Sequence, residues 1–391
     1  MILNNLVMAT TDDPVSIRID DGKITSVSPT AFADDALTLQ FDTAMVFPGL
    51  VNSHDHLDFN LYPNLGHRTY NNYTEWGRHI HKTYKKEIAA VLKIPSILRY
   101  EWGVFKNLLC GVTTVVNHGE PSGLKDDLIT IFEEFQALHS VGFETAWRFK
   151  LNNPFNTKLP VCIHVGEGDD WPSFSEIDQL TAWNLLGRRL IGVHAVAMSE
   201  NQAKKFKALV WCPQSNYFLL NKTAPVNLLK KHTEILFGTD STLTGSWDIW
   251  EHLRLARQTR MLNDEGLYHS LNKNAAEVWG LNSGTLEPGK DADIVISRIK
   301  TGLRGYHAFF ALRPEDLLLV IHRGNIRLFD ETMTAQLKAV DLDNFSSIYV
   351  NGACKYVQGN LPGLMAQIAE YCPEAHFPVS PVVERQKKEH I

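Results

Sequence analysis

Cysteine is scarce in this chain: five residues in 391, at Cys110, Cys162, Cys212, Cys354 and Cys372. They are odd in number, widely spaced and free of any C-x-x-C pair, so reduced, mostly buried thiols are expected and a disulfide framework is excluded. No apolar run approaches the roughly 18 residues that a membrane span needs. The first residues, MILNNLVMATTDDP, lack a charged segment followed by an apolar core, so the expected location is the cytoplasm. Long basic runs are missing too. With a net charge of −6 and a pI near 6.2, neither nucleic acid nor an anionic membrane is expected as a partner. Lys82, Lys85 and Lys86 read as a solvated helix face. There is no internal repeat and no low-complexity segment. What is present, 44% hydrophobic and 21% charged residues, suits a soluble globular protein with one large domain and a smaller one.

Up to residue 46 the chain carries short alternating runs, VSIRI and KITSV, joined by Asp20-Asp21-Gly22. Asp-Gly between such runs predicts a hairpin in a small antiparallel sheet. From Ala44 the pattern changes to strands alternating with helices. Gly111 closes the helix SILRYEWGVFKNLLC ahead of the strand VTTVV. A helix over Lys125 to His139 follows, then the strands FETAWRF and VCIHV. Next come a helix over Glu176 to Leu186, the strand RLIGVHAV, the helix ENQAKKFKAL, the strand LVWC, the short helix VNLLKK and the strand EILFGTD. The helices WDIWEHLRLARQT and NKNAAEVWG complete this part.

Such alternation predicts an α/β fold, a (β/α)8 TIM-like barrel with its parallel sheet covered by helices. The strand count is seven, one short, because roughly ten residues separate FETAWRF from VCIHV, too few for a crossover helix. An irregularity is therefore expected between strands 3 and 5. After Leu281 strands return, with turns at Arg323-Gly324-Asn325 and Asn351-Gly352. They are expected to join the N-terminal strands in one discontinuous β domain. The expected segments are 1–46 and 283–358 for the β domain, 47–282 for the barrel and 359–391 for a helical tail, with a helix around Met365 to Tyr371 and a frayed RQKKEHI end.

Chemistry in such barrels sits where strands end. His54 and His56 lie in VFPGLVNSHDHLDFN, and on a strand two such rings point to one face and reach one metal ion. The same spacing at His79 and His81 falls in a helical pattern, where the rings would stand about 200° apart. In a chain with 16 His an H-x-H arises by chance about once, so context decides. His164 ends VCIH, His194 ends LIGVH, and Asp240 follows EILFGT: with His54 and His56, five metal-competent side chains at four strand ends. Glu167, three residues after His164, can fold back over the metal because Gly166 allows a turn. A carboxylate beside a metal-activated water is what hydrolysis requires.

VFPGLVNSHDH, GVTTV, HVGE, GVHAV, WCPQSN, FGTDS, NAAEVWGL and LEPGKDADIVI, in this order, resemble the amidohydrolase superfamily, most closely its metal-dependent deaminase and chlorohydrolase branch. The resemblance runs from about Gly22 to Ile296 and implies a (β/α)8 barrel with a discontinuous composite β-sandwich. It implies one divalent metal ion, zinc before iron, held by His54, His56, His164 and Asp240. It also implies Glu167 as proton shuttle, His194 as hydrogen-bond partner of the nucleophilic water or substrate oxygen, and Asp240 as an aid to deprotonating that water. The reaction implied is hydrolysis at an amidine-like or amide carbon with loss of ammonia or an amine. Two departures stand out. The region from Asn117 to Leu159 is short for the family, and Lys150, read at a strand end, invites comparison with the carbamylated bridge of binuclear relatives; an ordinary lysine bound to Glu144 or to a substrate anion is the plainer reading.

For the substrate side, the aromatic-rich segment after His56 offers Phe59 and Trp76, with Asp58 and Arg68, as contacts to a flat heterocycle. Trp171, Gln214 and Asn216 follow other strands and are candidates for the same mouth. The aromatic segment could equally be a lid or an oligomer contact, so a homodimer stays open. The sequence thus supports an aminohydrolase of a small heterocyclic or amino-substituted compound. A cyclic amide or lactam hydrolase on the same site is the alternative, and a non-catalytic metal-binding scaffold or sensor is the reading from another class.

Overall fold

The computed structural model describes residues 1–33, 37–124, 128–338 and 340–382. Strands from both ends of the chain meet in one ten-stranded sheet, in which Thr38–Pro48 pairs parallel with Ile2–Met8 and antiparallel with Ile294–Arg298. The expected composite thus forms as one continuous hydrogen-bonded ladder. Its hairpins obey local backbone chemistry. Asp21 and Gly22 (φ 48° and 75°), Arg323 and Gly324 (47° and 75°) and Asn351 and Gly352 (48° and 85°) all take the left-handed conformations that a two-residue turn with matching twist requires. Side chains alternate across the central strand Ile294–Arg298. Ile294 and Ile296 join the sheet's own apolar core, while Val295 joins the core beneath the helices.

Gly49 separates the last N-terminal strand from Leu50–Asp55, and here the second part of the fold begins. Leu50–Asp55, Val112–Asn117 and Thr130–Phe132 form a three-stranded parallel sheet; Gln136–Ser140, Val161–Val165, Leu190–His194, Ala208–Trp211 and Glu234–Phe237 form a five-stranded one. At one seam the sheets are joined by the parallel bridge Asp55↔Asp240 and by a hydrogen bond from the Thr239 N–H to the His54 carbonyl at 3.1 Å. At the other, residues 133–135 are all that lie between Thr130–Phe132 and Gln136–Ser140. One pass of chain serves both sheets: its first half pairs with Val112–Asn117, its second with Val161–Val165. The ladder around the barrel is therefore divided in two, and the expected irregularity lies here.

Three sequence assignments need correction in this stretch. The helix expected over Lys125 to His139 is strand from Thr130 onward, while Lys125 to Asp127 lie outside the described residues. FETAWRF, expected as a strand, leads into the helix Trp147–Leu151, so Lys150 sits on a helix and not at a strand end. β-Branched and aromatic residues alternate with helix formers throughout 125–151, so periodicity alone could not separate the two states. Elsewhere the helices Ser96–Leu108, Trp171–Ala182, Ile249–Thr259, Lys273–Trp279 and Leu361–Tyr371 cover the sheets and chain end. The tail from residue 383 lies outside the described residues. No helix among the described residues is long and apolar enough to cross a membrane, and the five cysteines are free thiols, all but Cys354 buried.

The parallel strands carry two apolar faces, as strands covered on both sides must. Val161, Ile163 and Val165 pack outward under the helices, whereas Cys162, Ile191, Val193, Val210 and Leu236 fill the interior. Period two then sets the side on which a strand-end residue emerges.

Candidate metal-centred active site

His164 has the parity of Cys162 and so points to the interior with no local distortion. His194 has the parity of outward-facing Leu190. Left-handed backbone at His194 and Ala195 (φ 71° and 53°) turns its ring back. Asp240 is left-handed as well, at φ 65°. Such conformations are uncommon for non-glycine residues and persist where surrounding structure enforces them. At Asp240 the enforcing contacts are its N–H to the His54 carbonyl (3.0 Å) and its carbonyl from the His56 N–H (3.0 Å).

These backbones bring the side chains to one point. His164 Nε2 lies 3.2 Å from His54 Nε2 and 3.3 Å from His56 Nε2, and Asp240 Oδ1 lies 3.4 Å from the first imidazole and 3.6 Å from the second. Ligands about 2.0–2.1 Å from a tetrahedral ion stand about 3.3–3.4 Å apart, which is the spacing found. The protonation pattern agrees. His164 donates its Nδ1–H to the His139 carbonyl at 2.7 Å, so its Nε2 turns a lone pair toward the other two nitrogens, an arrangement that repels itself unless a cation sits among them. Burial, reinforced by His54, lowers the pKa of His56 to about 3, and burial lowers that of His194 to about 4, which keeps both in the neutral, ligating form. Burial pushes the Asp240 carboxyl up, but His54 and the other neighbouring imidazoles outweigh it and hold the group well below the usual range. Its Oδ2 accepts from Ser215 Oγ (2.8 Å) and Thr244 Oγ1 (2.9 Å), leaving Oδ1 for the cluster. The donor set therefore fits a divalent cation. Ligand atoms of His54, His164, His194 and Asp240 all lie within 4.8 Å of one another.

Glu167 arrives as the glycine turn implies. Gly166 has φ 62°, and a Cβ there would meet Ile177 at 2.9 Å. The Glu167 carboxyl is buried, 3.6 Å from His194 Nε2, and burial, then Asp240 and Glu176, raises its pKa well above the ordinary value. It can therefore hold a proton near neutrality. His194 donates its Nδ1–H to Asn216 Oδ1 at 2.8 Å, and Asn216 in turn donates to Thr223; Asn216 orients a histidine and does not face the mouth. Beneath, Asp55 accepts from Lys106 Nζ (2.9 Å), Asn107 Nδ2 (2.7 Å) and Asn60 Nδ2 (2.9 Å), fixing the backbone between His54 and His56 from below.

Above the cluster opens a cavity of ≈ 500 Å³ whose walls include Phe59, Tyr73, Trp76, Phe143 and Leu243, with Arg78 and His81 at its rim. Of the residues expected to touch substrate, Phe59 and Trp76 line it. The others are corrected. Asp58 pairs with Arg99 at 3.3 Å, Arg68 pairs with Glu75 at 2.8 Å, Trp171 is 73% exposed on the outer surface, and Gln214 accepts from the Ser246 N–H. Lys150 is half-exposed and paired with Glu144, away from the cluster, which leaves the carbamylated bridge without support. His81, set aside because it lies on a helix, does reach the rim, though not the cluster. Sequence reading missed His118, whose buried ring stands 4.4 Å from that of His164, and Glu176, whose carboxylate accepts the Gly166 N–H at 2.7 Å. Neither ends a motif; only tertiary contact reveals them.

The amidohydrolase family model matches residues 157–327. A 5'-deoxyadenosine deaminase from Methanothermobacter thermautotrophicus is 24% identical over 387 residues, covering 81% of this chain and 89% of that protein. A 5-methylthioadenosine/S-adenosylhomocysteine deaminase from Pyrococcus abyssi is 25% identical over 217 residues, 49% of this chain and 51% of its own. Among solved structures, a zinc-bound adenosine deaminase from Xanthomonas campestris aligns with a TM-score of 0.69 at 15% identity, over 95% of this chain and 99% of its own. Atrazine chlorohydrolase from Arthrobacter aurescens TC1, complexed with zinc, aligns at 0.67 and 17% identity over 95% and 100%. These structural likenesses speak for the fold alone, and the sequence matches show a likeness to the amidohydrolase family over residues 157–327 and to proteins named as deaminases.

Proposed function

We propose that the protein is a metal-dependent aminohydrolase that removes an exocyclic amino group, as ammonia, from a flat amino-substituted heterocycle, with adenine-type nucleosides as the first class to test. The observation that carries this reading is the convergence of His54, His56, His164 and Asp240 at tetrahedral spacing, directly beneath a buried, proton-holding Glu167 and an aromatic-walled cavity. The names of the sequence relatives support the choice of substrate class.

A bound divalent ion would supply Lewis acidity, lowering the pKa of a coordinated water toward about 7. The chain's own groups do the rest. Phe59 and Trp76 hold a ring by its faces in the aromatic-walled cavity. Glu167, kept protonated by burial, delivers its proton to the ring or leaving nitrogen and takes another from the attacking water. His194, fixed by Asn216 so that Nε2 faces Glu167, positions the attacking water oxygen.

The deciding measurement is ammonia release from a panel of aminopurines, aminopyrimidines, aminopterins and aminotriazines. At least one should be deaminated, and Glu167→Gln should lower kcat by about 10²–10⁴-fold while one equivalent of metal stays bound. Activity surviving in Glu167→Gln removes the proton-transfer assignment. Product appearing as a new carboxylate without ammonia replaces deamination by ring opening.

A further inference from the structure

Each imidazole in the metal cluster needs its second nitrogen occupied, because that hydrogen bond sets which nitrogen carries the lone pair. His164 uses the His139 carbonyl and His194 uses Asn216. Among the buried rings of the cluster, His54 is the one without such a partner. With Nε2 turned to the cluster its Nδ1 must carry the proton, yet this fully buried N–H meets no hydrogen-bond partner among the described residues. A donor stranded in the interior is costly, and here it falls at the very residue whose orientation the site depends on.

The complementary group is next to it. His118, also buried, has Nε2 within 3.1 Å of the Leu138 carbonyl, which can only accept; Nε2 therefore carries the proton and Nδ1 the lone pair. That Nδ1 is likewise without a partner. The two rings stand 5.0 Å apart at 65°, and ligand atoms of His54, His118 and Cys162 lie within 4.8 Å of one another. One orphan donor and one orphan acceptor thus lie on neighbouring buried rings, beside Cys162, which burial holds as a neutral thiol.

We propose that His118 is a positioning residue for the metal centre, its Nδ1 accepting the Nδ1–H of His54 through one enclosed water and so holding His54 in the tautomer that presents Nε2 to the ion. The chain of command runs from the Leu138 carbonyl to His118, to His54 and to the cluster, and it uses a histidine where a carboxylate or carbonyl usually serves. This inference rests on the metal-centre reading above.

The test uses the full chain with Co²⁺ or Zn²⁺ added. His118→Phe keeps a ring of similar size and removes the acceptor; His118→Asn restores a carbonyl oxygen. Metal affinity, by competition with a chromophoric chelator, should fall about 10–100-fold in His118→Phe, recover in His118→Asn to within a few-fold of the original, and be accompanied in the Phe variant alone by an altered Co²⁺ d–d spectrum. Thermal unfolding of the metal-free proteins separates a folding defect from the effect sought: the loss of affinity should persist in molecules that remain folded. Unchanged affinity and spectrum in His118→Phe, or failure of His118→Asn to recover either, overturns the proposal. If the unsubstituted protein binds no metal, the metal-centre reading itself falls first.

Discussion

Two buried lysine–aspartate pairs, one in each part of the molecule, use the same chemistry for different ends. In the ten-stranded sheet Lys355 Nζ meets Asp330 Oδ2 at 2.7 Å and the carbonyls of Glu315 and Leu317 at 2.8 and 2.5 Å, while Arg298 and Thr332 take the other carboxylate oxygen. Every donor and acceptor is satisfied and nothing lies beyond the pair but fold. Beneath the metal cluster Lys106 meets Asp55 at 2.9 Å and Thr239 Oγ1 at 3.2 Å, and here the carboxylate sits between His54 and His56 in the chain. The same contrast appears in the backbone. Left-handed non-glycine residues in the ten-stranded sheet, such as Asp21, Arg323 and Asn351, occupy hairpin turns, whereas at the cluster they are His194, Ala195 and Asp240, where no turn demands it. Strain and buried charge are spent on the fold in one region and on aiming side chains in the other.

The strongest way to break this contrast is to remove each lysine. Lys355→Met and Lys106→Met should each lose about 3–5 kcal/mol in urea unfolding, because each strands a buried carboxylate. Only Lys106→Met should also lower metal affinity and activity per folded molecule. If Lys106→Met binds metal as tightly as the unsubstituted protein, the Asp55 network is mere scaffold and the two regions are alike.

Acid and base should act on the two regions with opposite sign. Asp330, despite its burial, is held down to about 2 by Lys355, Thr332 and Arg298; its contribution is present above the ordinary carboxylate pKa and is lost as pH falls through about 2. Glu176, under the Glu167 loop, is raised by burial to about 7. Its protonated form contributes stability below the unfolded value of 4.5, and that contribution is lost as pH rises through 7. Between pH 5 and 8 the unsubstituted protein should therefore lose ground relative to Glu176→Gln, by up to about 3 kcal/mol, in paired urea titrations at fixed metal saturation. A constant difference between the two proteins across that range would show that Glu176 does not titrate there.

The cluster was legible in sequence because strand ends are constrained by position. His54, His56, His164 and Asp240 each follow an apolar run that has no other reason to end in a ligand, and Gly166 announced the turn that brings Glu167 back. The hairpins at Asp21-Gly22 and Asn351-Gly352 were legible for the same reason, a backbone requirement met by few residues. The stretch around Thr130–Ser140 was not. Its residues suit either state, and its strand character comes from neighbours on both sides. His118 and Glu176 were hidden because a supporting hydrogen bond has no fixed spacing from the residue it supports. Gln214 and Asn216 were placed in the mouth for being polar after a strand; helix Pro213–Leu220 instead carries one to Ser246 and the other to His194.

Asn216 gives the smallest and most selective probe. It has a counterpart in the other region: His322 Nδ1 is held by Asp293 Oδ1 at 2.8 Å, both groups buried, and Asp293 also accepts from the Arg323 N–H to shape a hairpin. At His194 an amide oxygen takes the place that the carboxylate oxygen takes at His322, and burial keeps the His194 ring neutral. Replacing the amide by an apolar residue of similar size, Asn216→Leu, leaves the His194 Nδ1–H without its acceptor and free to reorient. The expected loss is about tenfold in kcat/KM, or about 1.4 kcal/mol, with bound metal unchanged because none of the four tetrahedrally spaced groups is touched. Should metal content fall together with activity, His194 would belong to the ligand set, as its place within 4.8 Å of His54, His164 and Asp240 permits. The division between groups that hold the ion and groups that handle the substrate would then have to be redrawn through this residue.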